Sequence, residues 1–421
     1  MLSGVLLSIL VLNVSCRSPA VVADAAKPSG QATVVWISVD GLRHDYLERV
    51  HPPVLSKLAS EGAYTNQETP IFPSLTFPNH TAQVTGVRVD RSGIPTNVFY
   101  DDETMKGYNL PDNADLFRVD PIWVTAKRQG VRSAIINWPM SHAQPGPVTA
   151  DYFDLSYNKK ETDGQRLDRI VGLLNNDHSQ PPVRLVMTYM FKIDWTGHKF
   201  GPDAPDMGQA LLETDAEIGK FVDGVTAWFD RTHRPEDELY VLISTDHGME
   251  NIKTSVSLDL LLGGELMKQV KIAPSGPIAT IHLIPPLSDQ ERVERVAEIV
   301  DKLKANPFLT VWPAEDVPAK YHFKDRSRIG DVVVLLQPGY AFTPLRLSTT
   351  QPAVILKGNH GYDPAADSNM LGTAIVWRYR HPMGGKDLGV IENTQWYPTV
   401  IQLLGIEPKS GADTRAIVLP K

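Results

Sequence analysis

The sequence holds a single cysteine, Cys16, among 421 residues. No disulfide can form within the chain, so the fold must stand on its apolar core. The sequence also lacks a basic excess: 41 Lys and Arg face 49 Asp and Glu, a formal net charge of -8. That argues against a nucleic-acid duplex as partner, which favours a basic surface. It does not argue against a nucleotide, because a metal site binds phosphate inside an acidic protein, and part of the acid excess can itself be metal ligand. Long apolar runs are missing too, so no transmembrane helix is expected. At this length the core can be large, in two or three domains or in one α/β domain with insertions.

Residues 2–15 are apolar, small or uncharged, yet too few to span a bilayer. They read as an export signal, although no Arg or Lys precedes them. Asn13-Val14-Ser15-Cys16 resembles a bacterial lipobox with Asn13 in place of the usual Leu. Cys16 would then carry a lipid anchor; cleavage at Ala25 is the rival reading. The expected location is outside the bacterial cytoplasm, periplasmic or lipid-anchored. Residues 26–32 read as a linker.

From residue 33 the pattern changes. Thr33-Val34-Val35-Trp36-Ile37-Ser38-Val39 is a β-branched run ending at Asp40-Gly41, the mark of a strand buried on both faces. Segments 131–137, 183–190, 239–245 and 372–378 look alike, with helical spacing at 53–61 and 207–229 between them. Alternation of this kind predicts an α/β fold, a mostly parallel sheet sandwiched between helices. Residues 259–350 interrupt it with a charged amphipathic helix at 288–304 and extended runs at 278–284 and 331–336. They read as an inserted α+β cap or subdomain, leaving 33–258 and 351–421 as the catalytic domain. A closing helix at 392–405 ends at Gly405.

Three strands end in, or lead into, metal-ligand residues: Asp40, then Asp194 with His198, then Asp246-His247. His360 follows in the loop before 372–378. Sites gather at the carboxyl ends of strands in open α/β sheets. Each residue alone has a structural reading as turn, cap or surface group. Together, three Asp and three His suit zinc, and six ligands are about right for two ions; ligand type alone also tolerates manganese or iron. In Pro70-Ile71-Phe72-Pro73-Ser74-Leu75-Thr76-Phe77-Pro78-Asn79-His80, Thr76 is either a helix N-cap or a nucleophile that needs activation.

Five blocks in order resemble the nucleotide pyrophosphatase/phosphodiesterase family of the alkaline phosphatase superfamily. They are Val39-Asp40-Gly41, Phe72 to His80, Asp194-x-x-Gly197-His198-x-x-Gly201-Pro202, Thr245-Asp246-His247-Gly248-Met249 and His360-Gly361-Tyr362-Asp363. Glu392-Asn393 and Leu403-Leu404-Gly405 match as well, and the likeness spans about 33–410. With the leader, it suggests a bacterial, exported member. The resemblance implies one zinc on Asp194, His198 and His360, and another on Asp40, Asp246 and His247 with Thr76. It implies Thr76 as nucleophile and Asn97 as hydrogen-bond donor to a phosphate oxygen. Ser92 stands where the family has His before Gly93, while Asn97 is retained.

The loop Asn137-Trp138-Pro139-Met140-Ser141 carries no cation, which favours diesters, because a monoester brings one more negative charge. Phe77, Leu110, Trp138, Tyr157 and Tyr189 fall near positions where the resemblance places substrate contacts. Two other readings stay open. One is a sister hydrolase of phosphocholine lipids, phosphonates or monoesters; the other is a non-catalytic zinc-binding protein.

Overall fold

The computed structural model describes residues 30–112, 114–142, 148–284, 287–343, 356–409 and 411–420. Residues 1–29, and with them the expected export signal and Cys16, lie outside them. In chain order come β1 (Ala32–Val39), α1 (Pro53–Glu61), β2 (Ala63–Thr69), α2 (Thr76–Thr85), β3 (Ser133–Ile136) and β4 (Tyr152–Phe153). Next are α3 (Asp163–Asn176), β5 (Leu185–Met190), α4 (Lys192–Phe200), α5 (Pro205–Thr232) and β6 (Glu238–Ser244). The insert contributes β7 (Val270–Ser275), β8 (Ile278–Leu283), α6 (Asp289–Lys304), β9 (Leu309–Pro313) and β10 (Val332–Leu336). The chain then returns through β11 (Gly372–Arg378), β12 (Lys386–Asp387), β13 (Ile391–Glu392) and α7 (Trp396–Leu404).

The main sheet has nine strands in the order β12-β2-β11-β6-β1-β5-β3-β4, with β13 also on β2. β1 pairs in parallel with β5 and β6, and β3 with β5 and β4. β11 runs antiparallel to both β6 and β2, so the sheet is mixed. The reason lies in the site loop. Gly248 and Met249, just past β6, bond the carbonyls of Met370 and Asn369, so β11 starts at the end where β6 stops.

Alternation along β1 splits the core in two. Val35, Ile37 and Val39 face one side, with Leu55 of α1, Leu167 of α3 and Ile218 of α5. Val34 and Trp36 face the other, with Trp138, Trp396 and Val400. Helices therefore cover both faces of a sheet whose centre is apolar throughout. The insert forms its own antiparallel sheet, β7-β8-β10-β9, over a separate apolar cluster. Its helix α6 begins with a reciprocal cap between Ser288 and Glu291.

Helix α5 ends against His233, whose ring stacks on Phe229 at 4.3 Å and lies 3.0 Å from Thr33 Oγ1. Burial pushes His233 down from the ordinary 6.5 to about 4. A depressed folded-state value means that the stabilising contribution is full above 6.5 and is lost as pH falls toward 4. Tm should therefore decline across that window, and His233→Gln should flatten the decline. Equal slopes in both proteins would contradict this assignment.

Candidate active site and metal centre

The site forms where β1, β5 and β6 end. Asp40 follows β1, Asp246 and His247 follow β6, and α4 after β5 carries Asp194 and His198 on one face. Gly41 takes φ 70°, and a Cβ there would sit 3.1 Å from Asp194 Cα, so only glycine lets β1 and α4 approach this closely. His360 comes from the loop before β11. Thr76 is the first residue of α2; its N-cap is Leu75 and no side chain caps the helix. The Thr76 hydroxyl instead lies 3.2 Å from His247 Nε2. The capping role that sequence left open for Thr76 is thus not the one it has.

The donor set suits metal ions by its own chemistry. Each imidazole has Nδ1 on a backbone carbonyl: His198 on Gly358 at 2.8 Å, His247 on Gly248 at 2.9 Å and His360 on Ser74 at 3.0 Å. A carbonyl only accepts, so Nδ1 holds the proton and Nε2 presents a lone pair in the neutral ring. Asp40 Oδ1, Asp194 Oδ1 and Asp246 Oδ2 are buried and accept no hydrogen bond among the described residues. They face these Nε2 atoms at 3.3 Å (Asp40 to His247), 3.4 and 3.5 Å (Asp194 to His198 and His360) and 3.0 Å (Asp246 to His247). Two groups have ligand atoms within 4.8 Å of one another: Asp194, His198 and His360, and Asp40, Asp194 and His247. Asp194 thus borders both groups, whereas the resemblance assigned it to one.

The electrostatics show the strain of this crowding. Burial, then repulsion from Asp194 and Asp246, raises Asp40 well above the usual carboxylate range. Burial also raises Asp194 and drives His360 well down. Burial works to raise Asp246, but His247 and His80 overcome it and hold Asp246 low. Bound cations would relieve all of these conflicts.

Buried polar residues around the ligands hold the site in place. Asn393, fully buried, donates to Asn79 Oδ1 at 3.0 Å and to the Asp246 carbonyl at 2.9 Å. Asn79 in turn donates to the carbonyls of Pro73 and Leu75, which tie down the Thr76 turn. His80 bridges Ser38 Oγ and the Thr76 carbonyl, each at 2.8 Å. Glu68 accepts from the Thr245 amide and the Trp396 indole. Gly248 leaves no room: a Cβ would meet the Asn369 carbonyl oxygen at 2.0 Å. Gly248→Ala should therefore shift His247 and lower kcat about a hundredfold at saturating zinc. Unchanged kcat would show that the loop yields without moving the ligands.

The candidate substrate contacts divide. Asn97 Oδ1 accepts from the Phe77 amide at 2.9 Å, and the Asn97 backbone N–H donates to Ser275 Oγ of the insert at 3.2 Å. The Asn97 Nδ2 has no hydrogen-bond partner among the described residues, which leaves it able to donate to a ligand. Phe77 is half-buried at the rim. Leu110 is 55% exposed, held there with φ 47° by its amide bond to the Asn97 carbonyl. Tyr157 is half-buried, edge-on to Phe191. Trp138 is a correction: it is fully buried against Trp36 and His80 and offers no surface to a ligand. Tyr189 commits its hydroxyl to Asp40 Oδ2 at 2.5 Å, which orients a metal ligand.

Residues 34–363 match the family model of the type I phosphodiesterase / nucleotide pyrophosphatase. The chain belongs to this family. It is similar to a pyrophosphatase/phosphodiesterase of Schizosaccharomyces pombe, 28% identical over 92% of this chain and 80% of the relative. It is similar to the bis(5'-adenosyl)-triphosphatase of Mus musculus, 29% identical over 90% of this chain and 79% of the relative. The solved structure of human ectonucleotide pyrophosphatase / phosphodiesterase 5 superposes with a TM-score of 0.76 at 26% identity, covering 90% of this chain and 96% of that one. The murine counterpart gives 0.76 at 25%, covering 92% and 97%. The chain thus has the alkaline-phosphatase-like α/β fold with an inserted smaller subdomain, and it is an enzyme of the family with a two-zinc site.

These relatives overturn one expectation. They are eukaryotic proteins of yeast, mouse, cattle, frog and human, so the reading as a bacterial exported member, periplasmic or lipid-anchored, does not stand. The lipobox-like stretch, with the lipid anchor expected on Cys16, lies outside the described residues. No helix of the described residues is long and apolar enough to cross a membrane.

Proposed function

We propose that the chain hydrolyses phosphodiester and pyrophosphate bonds of nucleotides through a covalent phospho-threonine on Thr76. One observation carries this reading: the Thr76 hydroxyl, 3.2 Å from His247 Nε2, sits among six buried or half-buried ligand groups. Asp194, His198 and His360 would hold one zinc; Asp40, Asp246 and His247, with Thr76, the other. When bound, zinc supplies Lewis acidity that lowers the hydroxyl pKa and offsets charge on the phosphoryl and leaving oxygens.

The protein's residues do the rest. Thr76 Oγ1 forms a bond to phosphorus as the bond from phosphorus to the leaving oxygen breaks. Water then cleaves the Thr76–phosphate ester and restores the hydroxyl. Asn97 Nδ2 donates to a non-bridging oxygen, and the Phe77 amide holds Asn97 in that orientation. Phe77, Leu110 and Tyr157 form a partly exposed apolar rim where a base can lie. Dinucleoside polyphosphates, the substrates in the mouse relative's name, are the first class to try.

Charge supports diesters over monoesters. The nearest buried cation to the 137–142 loop is Arg166, which binds Asp163 at 2.8 Å and the Tyr189 carbonyl at 3.1 Å and is 1% exposed. It is already neutralised and cannot reach a phosphate. Hydrolysis of the nitrophenyl ester of thymidine 5'-monophosphate should exceed that of nitrophenyl phosphate by about a hundredfold in kcat/KM. A preference for the monoester would overturn the diester assignment.

A further inference from the structure

The mouth of the site has a direction. Asp40, Asp246, His247 and His360 have side chains 0–4% exposed, whereas Asp194 and His198 of α4 reach 16% and 23%. The metal centre therefore opens to solvent along α4. On that helix Trp195 stands one turn before His198, which puts it on the solvent-facing flank next to the row that carries the two accessible ligands.

Trp195 is 51% exposed and Phe200 is 39% exposed. Both are large for a surface, and they meet edge-to-face at 6.3 Å. Lys199 lies with its ammonium 4.5 Å from the Trp195 ring centre and 4.6 Å from that of Phe200. It forms no ion pair among the described residues, while the neighbouring Lys192 is bound to Glu213. An exposed indole, a second ring and an uncommitted cation thus share one lip of the catalytic centre. The helix's other residues there, Ile193, Thr196 and Gly197, face inward and are buried.

We infer that Trp195 and Lys199 form a subsite for the leaving group, fitted to one that carries both phosphate and an aromatic ring, as the departing nucleotide of a dinucleoside polyphosphate does. This rests on the hydrolase reading above. Phe77 follows Thr76 directly at the start of α2, on a different element from Trp195, so the retained nucleoside and the departing one have separate shelves. The indole face stacks the departing base, a contact that tolerates different bases because each has a π face. The Lys199 ammonium pairs with the phosphate that leaves. The arrangement makes the ring-bearing leaving group a better substrate than one made of phosphate alone.

The test compares diadenosine triphosphate, which releases ADP, with ATP, which releases pyrophosphate; both leave AMP on the enzyme. In zinc-loaded Trp195→Ala, the ratio of kcat/KM for diadenosine triphosphate over ATP should fall about tenfold, mainly through KM for the dinucleotide. Trp195→Phe should restore most of the ratio. Lys199→Gln should weaken both substrates together, since both leaving groups carry phosphate. An unchanged ratio in Trp195→Ala, or equal losses on both substrates, would overturn the subsite. Failure of the unsubstituted enzyme to hydrolyse either substrate would overturn instead the hydrolase reading on which it rests.

Discussion

Replacing Thr76 with alanine should lower kcat on a nucleotide diester by about four orders of magnitude while leaving zinc content and Tm almost unchanged. The change removes one hydroxyl and one methyl from the start of α2. Thr76 caps nothing, and the turn around it is held by Asn79, Asn393 and His80. The six carboxylate and imidazole ligands remain. The loss is therefore one of chemistry rather than of folding. Zinc content measured by elemental analysis, beside kcat on the same preparation, separates the two. Activity retained within about tenfold would show that another group, or water itself, attacks phosphorus.

Stripping the metal should abolish activity and lower Tm by about 5–10 °C, with zinc restoring both. The argument rests on charge. Asp40 and Asp194 are buried, and burial raises both. A raised folded-state value means that stability is present below the unfolded carboxylate value and is lost as pH rises through the folded one. Asp246 is held low, so its contribution is complete throughout the same range. The carboxylate contribution to the chelated protein's stability should therefore fall as pH rises from about 4 toward neutrality, and the gap in Tm between loaded and chelated protein should widen in that direction. His233 titrates in both forms and cancels from the gap. A gap that stays flat or narrows with rising pH would show that the three carboxylates are not the groups relieved by the ion.

What could be read from sequence follows from which residues announce their role by type. The β-branched runs at β1, β5 and β6 are apolar on both faces, so their burial and the carboxylates at their ends were legible. β11 looked the same, but its direction was not, because direction depends on where the site loop brings the chain back. β2 was invisible: Ala-Tyr-Thr-Asn-Gln-Glu-Thr is polar, and it is a strand because β11 and β13 pair with it. Asp40, Thr76, Asp194, His198, Asp246, His247 and His360 could be named together because they fall in ordered blocks. Ser275 and Glu68 could not, and Asn393 fell in a matched block without its role being legible. Their work is to hold backbone groups from elsewhere in the chain, and a buried amide or carboxylate carries no mark of its distant partner. Trp138 shows the opposite error: an aromatic in the right block was read as a contact, yet it packs in the core. Arg166 is hidden in another way, paired within α3 to Asp163 three residues before it.

The most direct test of the whole account is to mix zinc-loaded enzyme with diadenosine triphosphate, quench in acid within milliseconds, digest the protein and weigh its peptides. The account predicts AMP joined to the peptide that contains Thr76, absent from Thr76→Ala. Rapid turnover with no adduct on any quench time, or an adduct on another residue, would contradict it.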